Sequence, residues 1–507
     1  MNRTGSTPSR IVLAATLAAA CIAGSSSPAR AAPADLCVGT TAGCFTSIQA
    51  AVDAAGDGDT IHIGPGTFAG GITILKSVQL VGAGPGATTI HGGGPVITIG
   101  ELLGAQPTVS IGRVTISGGL VDGEGVAAGG GVWIPFAGPG LPVATVEIAD
   151  TVITGNRVTP SGLFDAGDFC GQTPCAVAWG GGIDSSGNLT VTNTRVTDNV
   201  AGATTSDGSA ATIAQGGGIL THPGSTLTLR HSFVTGNRVA VSPPNGAFSE
   251  GGGVLDQGTA VIEDSRIDDN ASVAVSSVAS SIPFNAVQDA DAGGVDVNPG
   301  ATATISRSTI SGNTVHGFNS GGDAQALNGG IDADGPLLLT DSSVDRNSVS
   351  AEVPPTSGFV AGAFGGALHV GDGAAATVRS SRISHNRVTA LSATGTVNVG
   401  AAGISNFSSQ LTVEKTIVVG NRGTATGIGG LVLGGGILNV AFGGPPPVLA
   451  LTDSIVTANR LDARGPGFDP QGGGVFSKDV FGPDPFPVTL TRTVIAGNTP
   501  DQCVGGC

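Results

Sequence analysis

Asp296 and Asp332 stand at equivalent places in neighbouring repeats of this chain, each directly after the aliphatic residue that follows a glycine pair. If those repeats stack as parallel strands, the two backbones lie ~4.8 Å apart. Two carboxyls held that close do not both ionise readily. Either one keeps its proton, which makes Asp296 and Asp332 a candidate catalytic acid/base pair, or a cation is recruited, which makes Asp291, Asp296 and Asp332 candidate calcium ligands. Asp289 and Asp334 are near in sequence, and Glu250 and Asp256 belong to the repeat before. The plain alternative is a set of solvated surface acids on an acidic chain.

The same position recurs as Trp133, Asp184, Leu220, Leu255, Asp296, Asp332, Leu368, Ser405, Leu438 and Phe476. Strand alternation points this column away from the interior, so it mixes an aromatic ring, leucines and acids along one face. Trp133, Asp184, Leu220, Leu255 and Leu368 are therefore candidate ligand-binding residues of an open groove. The alternative is that loops cover the column and the leucines pack beneath them. The seven histidines form no metal-ligand spacing in the sequence.

The elements that must position these residues are legible from a repeat. A glycine pair or triplet and one Ile or Val are followed, some 17 to 25 residues on, by Ser/Thr-x-Ile/Val-x-x-Asn, ending at Asn156, Asn199, Asn237, Asn270, Asn313, Asn347, Asn386, Asn421, Asn459 and Asn498. Units of this length cannot bury a face alone and must stack. Each reads as three short strands with period-two aliphatic residues, such as Leu227 and Leu229 or Leu337 and Leu339, turned to a shared interior. The Asn column and the Ser/Thr column five residues before it read as hydrogen-bonded ladders from coil to coil. Segments after each Asn, for example 200–215 and 271–291, are long and rich in Ala, Ser and Val, and read as loops on one face. Before the repeats, residues 46–55 place Ile48, Ala51, Val52 and Ala55 on one helical face with Gly56 beyond, a short capping helix. The expected fold is all-β: a single-stranded parallel β-helix, right-handed as parallel crossovers favour, with that helix at its N-terminal end.

Glycine makes up 86 of 507 residues without a three-residue period, which excludes collagen and suits tight corners. The net charge of −16 makes nucleic acid and anionic membranes poor partners. Residues 1–31, with Arg3 and Arg10, the apolar run Ile11 to Ala23 and the small-residue end Ala29-Arg30-Ala31, read as a secretory signal peptide. The run is too short for a membrane span. A lipid anchor at Cys21 is disfavoured, because the position three before it is alanine. The remaining six cysteines fall into close pairs, Cys37 with Cys44, Cys170 with Cys175 and Cys503 with Cys507, and read as local disulfides of an exported protein. Residues 32–507 then form one β-helix domain, with 46–128 as cap and first coils and 129–507 as ten regular coils and the C-terminal end. It is expected to be a monomer, secreted or at the cell surface.

The segments Ser47-Ile-Gln-Ala-Ala-Val-Asp, Gly58-Asp-Thr-Ile and Pro65-Gly-Thr-Phe resemble the N-terminal cap of pectin-lyase-like right-handed parallel β-helix proteins. The Gly-Gly-Ile and Ile-x-x-Asn units resemble the repeats of chlamydial polymorphic outer-membrane proteins. The resemblance implies a scaffold shared by polysaccharide lyases, hydrolases, epimerases and non-catalytic proteins. The active-site motifs of its polygalacturonases, pectate lyases and mannuronan epimerases have no match here. The leading expectation is a protein whose lateral face binds an extracellular polysaccharide or cell-surface polymer. A calcium-assisted lyase or glycoside hydrolase, and a structural or adhesive rod, are the alternatives.

Overall fold

The computed structural model describes residues 34–123, 126–163, 174–205, 210–242, 247–277, 288–355, 357–371, 373–441, 444–480, 482 and 484–507, with backbone alone at 288 and 289. The chain is a parallel β-solenoid whose one helix among these residues is Ile48–Ala54. Ser47 caps that helix, accepting a hydrogen bond from Ala50 N through its Oγ. At the other end Lys76 Nζ donates to the Asp53 and Ala55 carbonyls, where a cation suits the helix dipole. Asp57 and Asp59 are turn residues: Asp57 accepts from Ser77 N, and Asp59 from Ala34 N and Gly56 N. No helix among the described residues is long and apolar enough to cross a membrane.

Five strands, not three, make up a regular coil. One coil runs Val295–Val297, Thr302–Ser306, Thr309–Ser311, Thr314–Asn319 and Ala324–Leu327, and these strands belong to what we call sheets 1 to 5. Among the described residues the sheets hold 13, 14, 13, 10 and 9 strands, each strand pairing in parallel with its equivalents in the coils before and after.

Sheets 1 to 3 enclose the main core, a stack of Ile, Val and Leu that includes Ile262, Ile267, Ile305, Ile310, Leu339 and Val344. Sheets 4 and 5 are the segments expected to be loops. Their small side chains alternate with period two, as in Ala201 and Ala203 or Val239 and Val241. They face Ala214, Ala247 and Ala326 across a second, thinner apolar layer. Alanine-rich composition reads as loop in one dimension, but in three it lets two strand stacks approach closely.

The Asn column is a buried ladder. Asn313 Oδ1 accepts from both the backbone N and Nδ2 of Asn270, and Asn313 Nδ2 passes the pattern on to Asn347. At the C-terminal end Gln502 substitutes for a further Asn, its Oε1 accepting from Asn498. The Ser/Thr column does the same more simply, as where Ser265 N donates to Ser308 Oγ. Disulfides join Cys37 to Cys44 and Cys503 to Cys507. Cys175 is also disulfide-bonded, and Cys170, like the expected signal peptide over residues 1–31, lies outside the described residues.

Candidate functional site

Sheets 5 and 1 meet at the glycine triplet, where the chain folds back on itself. The first triplet residue is left-handed, with φ +64° at Gly216 and Gly251. A Cβ at Gly216 would lie 2.6 Å from the Leu220 Cβ, and one at Gly251 2.7 Å from that of Leu255. The turn therefore sits directly on the outward column, and at Gly216 and Gly251 the missing Cβ allows the close approach to Leu220 and Leu255. This overturns the expectation of an open groove of leucines. Leu220 and Leu255 are fully buried and Asp184 is 1% exposed, so none of them offers a surface to a ligand. Trp133 is half-buried and keeps one.

Leu368 does not belong to the column. It pairs with Ile331 and Ile404 and is a core residue, because Ala367 stands where most repeats have the third glycine. The outward place in that coil falls to His369, which pairs with Ser405.

The re-entrant corner that results is apolar and aromatic toward both ends and acidic in the middle. On the N-terminal side Trp179 of sheet 5 meets His222 edge to face at 5.2 Å, and His222 Nε2 lies 3.1 Å from Asp184 Oδ1. Burial opposes charge on His222, but the Asp184 carboxylate outweighs it, so the imidazole titrates above its usual range. On the C-terminal side Phe407 packs edge-on against both His369, at 4.8 Å, and Phe364, at 6.2 Å.

Between these lie the acids. Asp296 and Asp332 are register partners, as the spacing predicts, but they are 3% and 4% exposed, not surface residues. Burial first, then the charges of Glu250, Asp332, Asp291 and Asp334, hold the Asp296 carboxyl well above the ordinary carboxylate range. Glu250 accepts a hydrogen bond from Gln215 Nε2 at 2.7 Å. Asp291 Oδ1 accepts from Ala292 N and Asn328 Nδ2, which ties it to the turn.

Backbone conformation is unusual in the same coils. Where other repeats have the first glycine, those carrying Asp296, Asp332 and Ser405 have Ala292, Asn328 and Ala401, with φ of +44°, +61° and +48°. A Cβ in this region costs energy, but the chain accepts that cost at turns in most coils, as at Asp264 and Arg307, so these positions follow from the turn and do not by themselves mark a site.

Among the described residues, the ligand atoms that come together are not those of Asp291, Asp296 and Asp332. Asp332, Asp334 and His369 each place one such atom within 4.8 Å of the others. Trp179, Phe364, Phe407 and His369 were not legible as site residues. Alignment on the aliphatic residue alone shifts the His369 repeat by one, and the small-residue strands of sheet 5 that carry Trp179 and Phe364 have the composition of loops. Admitting alanine at the third glycine would have placed His369 beside Asp332.

The family described as "right handed beta helix region" matches residues 180–329. No curated protein matches. Among solved structures, the A-module of a mannuronan C-5 epimerase from Azotobacter vinelandii is similar at 13% identity and TM-score 0.32, covering 90% of this chain and 95% of that one. A pectate lyase is similar at 16% identity and TM-score 0.31, covering 73% and 78%. A second A-module of a mannuronan C-5 epimerase from the same organism has 11% identity and TM-score 0.33, covering 84% and 94%.

Proposed function

We propose that the protein is exported and binds an extracellular polysaccharide along the corner between sheets 5 and 1. One observation carries this reading: the half-buried rings of Trp133, Trp179, Phe364 and Phe407 lie in the same re-entrant corner as the acids around Asp332. Sugar rings present apolar C–H faces to aromatic side chains and hydroxyls to carboxylates, so this mixture suits a glycan chain. From Trp133 to Asp332 is five coils, on the order of 24 Å at ~4.8 Å per coil, so a glycan of several sugar units would touch the rings toward the two ends and pass over the buried Asp184, Leu220 and Leu255 between them. The acids favour a neutral polymer, because a uronate chain would meet like charge. Disulfides favour an oxidising compartment and support export.

A second reading rests on the pair itself. Burial and neighbouring charges hold the Asp296 carboxyl well above its ordinary range, and Asp332 stands in register one strand spacing away; glycoside hydrolysis in its retaining form needs a protonated and an ionised carboxyl ≈5–5.5 Å apart. One experiment separates the readings: the purified protein is tested on neutral and uronic polysaccharides for gel retardation and for new reducing or unsaturated ends. Retardation by a neutral polymer, lost in Trp133→Ala and Trp179→Ala without new ends, is the expected result. New ends that vanish in Asp332→Asn would establish the second reading, and neither effect on any polymer would refute both.

A further inference from the structure

We propose that Asp332, Asp334 and His369 form a binding site for a first-row transition metal dication of the zinc or cobalt kind. Their three ligand atoms lie within 4.8 Å of one another, and the side chains come from two adjacent coils. Asp332 and Asp334 project from one strand and the turn after it, and His369 from the next strand of sheet 1. Two carboxylates and a neutral imidazole carry a charge of −2, which a dication balances. The neighbouring Glu250 and Asp291, whose charges already act on Asp296, add to the negative potential felt there.

Three features make this a built site. His369 Nδ1 lies 2.9 Å from Ser405 Oγ, and that hydroxyl in turn donates to the Leu368 carbonyl at 3.4 Å. Ser405 Oγ is placed to accept from Nδ1–H, the arrangement in which the imidazole would present Nε2 to the metal. Metal-bound histidines are commonly oriented by such an outer partner. Phe407, edge-on at 4.8 Å, fixes the ring plane. Gly371 completes the cradle: a Cβ there would collide with Asp334 Oδ1 and His369 Nε2, so only a bare Cα lets these atoms converge. Asp334 and His369 are half-exposed, which leaves an entry path and room for water ligands. A nitrogen ligand with only two carboxylates suits zinc, cobalt or nickel better than calcium, which takes six to eight oxygens. The inference is independent of the polysaccharide reading.

The test uses the full mature chain, stripped with chelator and titrated with Co²⁺ by visible absorption and with Zn²⁺ by calorimetry. One equivalent should bind, with cobalt d–d bands that zinc abolishes and that calcium in roughly thousandfold excess does not. His369→Gln and Asp334→Asn should each weaken binding roughly tenfold or more, and Ser405→Ala by about tenfold through loss of orientation. If His369→Gln also lowers the melting temperature of the metal-free protein, Asp334→Asn at its half-exposed turn carries the test. The proposal is overturned by folded wild-type protein that binds neither metal. Binding unaffected by His369→Gln and Asp334→Asn, or displacement by calcium at equal concentration, would overturn it equally.

Discussion

Because burial and four neighbouring carboxylates hold the Asp296 carboxyl well above its ordinary range, the folded protein keeps a proton there over a pH interval in which the unfolded chain has released it. Asp256 behaves alike on its own account. It is fully buried within the solenoid, and burial raises its pKa against the opposing hydrogen bonds from Thr221 and Gly258. The sign follows from linkage. A carboxyl whose folded value lies above its unfolded value contributes stability at acid pH. That contribution is lost as pH rises from the unfolded value through the folded one, by up to about 1.4 kcal/mol per pH unit for each group. We predict that, in the presence of chelator, the melting temperature falls as pH rises above about 4, and that Asp296→Asn and Asp256→Asn each flatten the fall. A melting temperature that climbs over the same interval in wild type, or an unchanged profile in both variants, would contradict the assignment. The pairing of Asp296 with Asp332 was legible from the repeat, since it needs only the register. Their burial was not, because it depends on a turn folding over the column from outside the strand.

At the scale of the element, the Asn ladder and the turn glycines set the coil geometry. Asn313→Ala removes the acceptor for Asn270 N and Asn270 Nδ2 and a donor to the Ile267 carbonyl, all within buried surroundings. We expect a loss of about 2–4 kcal/mol in urea unfolding, since each orphaned buried group costs ~1–3 kcal/mol. A loss below that of an exposed substitution would mean that water replaces the ladder. The ladder was readable because an amide at every repeat has one economical use. Sheets 4 and 5 were not, because alternation among Ala, Ser and Val is faint in hydrophobicity and becomes meaningful only when two stacks face each other. The same blindness hid Trp179 and Phe364, which lie on sheet 5, and the alanine at position 367 displaced His369 by one place.

Across the whole molecule the two apolar layers differ in strength. The main core buries large aliphatic side chains, whereas the layer between sheets 4 and 5 is built chiefly of Ala and Val, with less apolar area per residue and less stabilisation in proportion. Amides of sheets 4 and 5 should therefore exchange with solvent through local opening, at lower protection than those of sheets 2 and 3. Uniform protection across all five sheets would show instead that a coil opens as one unit. On this expectation the sheet-5 wall of the proposed ligand corner is its more yielding side, and Asp296 and Asp332 of sheet 1 stand on the more rigid one. The chain has two tryptophans, Trp133 and Trp179, and both belong to this corner. Intrinsic fluorescence therefore reports on it without labels. The most direct measurement is a fluorescence titration of the native protein with neutral polysaccharide fragments several sugars long. A saturable shift or quench, abolished in Trp133→Ala, is the predicted result. Polymer binding that leaves both tryptophans unperturbed would place the ligand elsewhere on the solenoid and contradict the account.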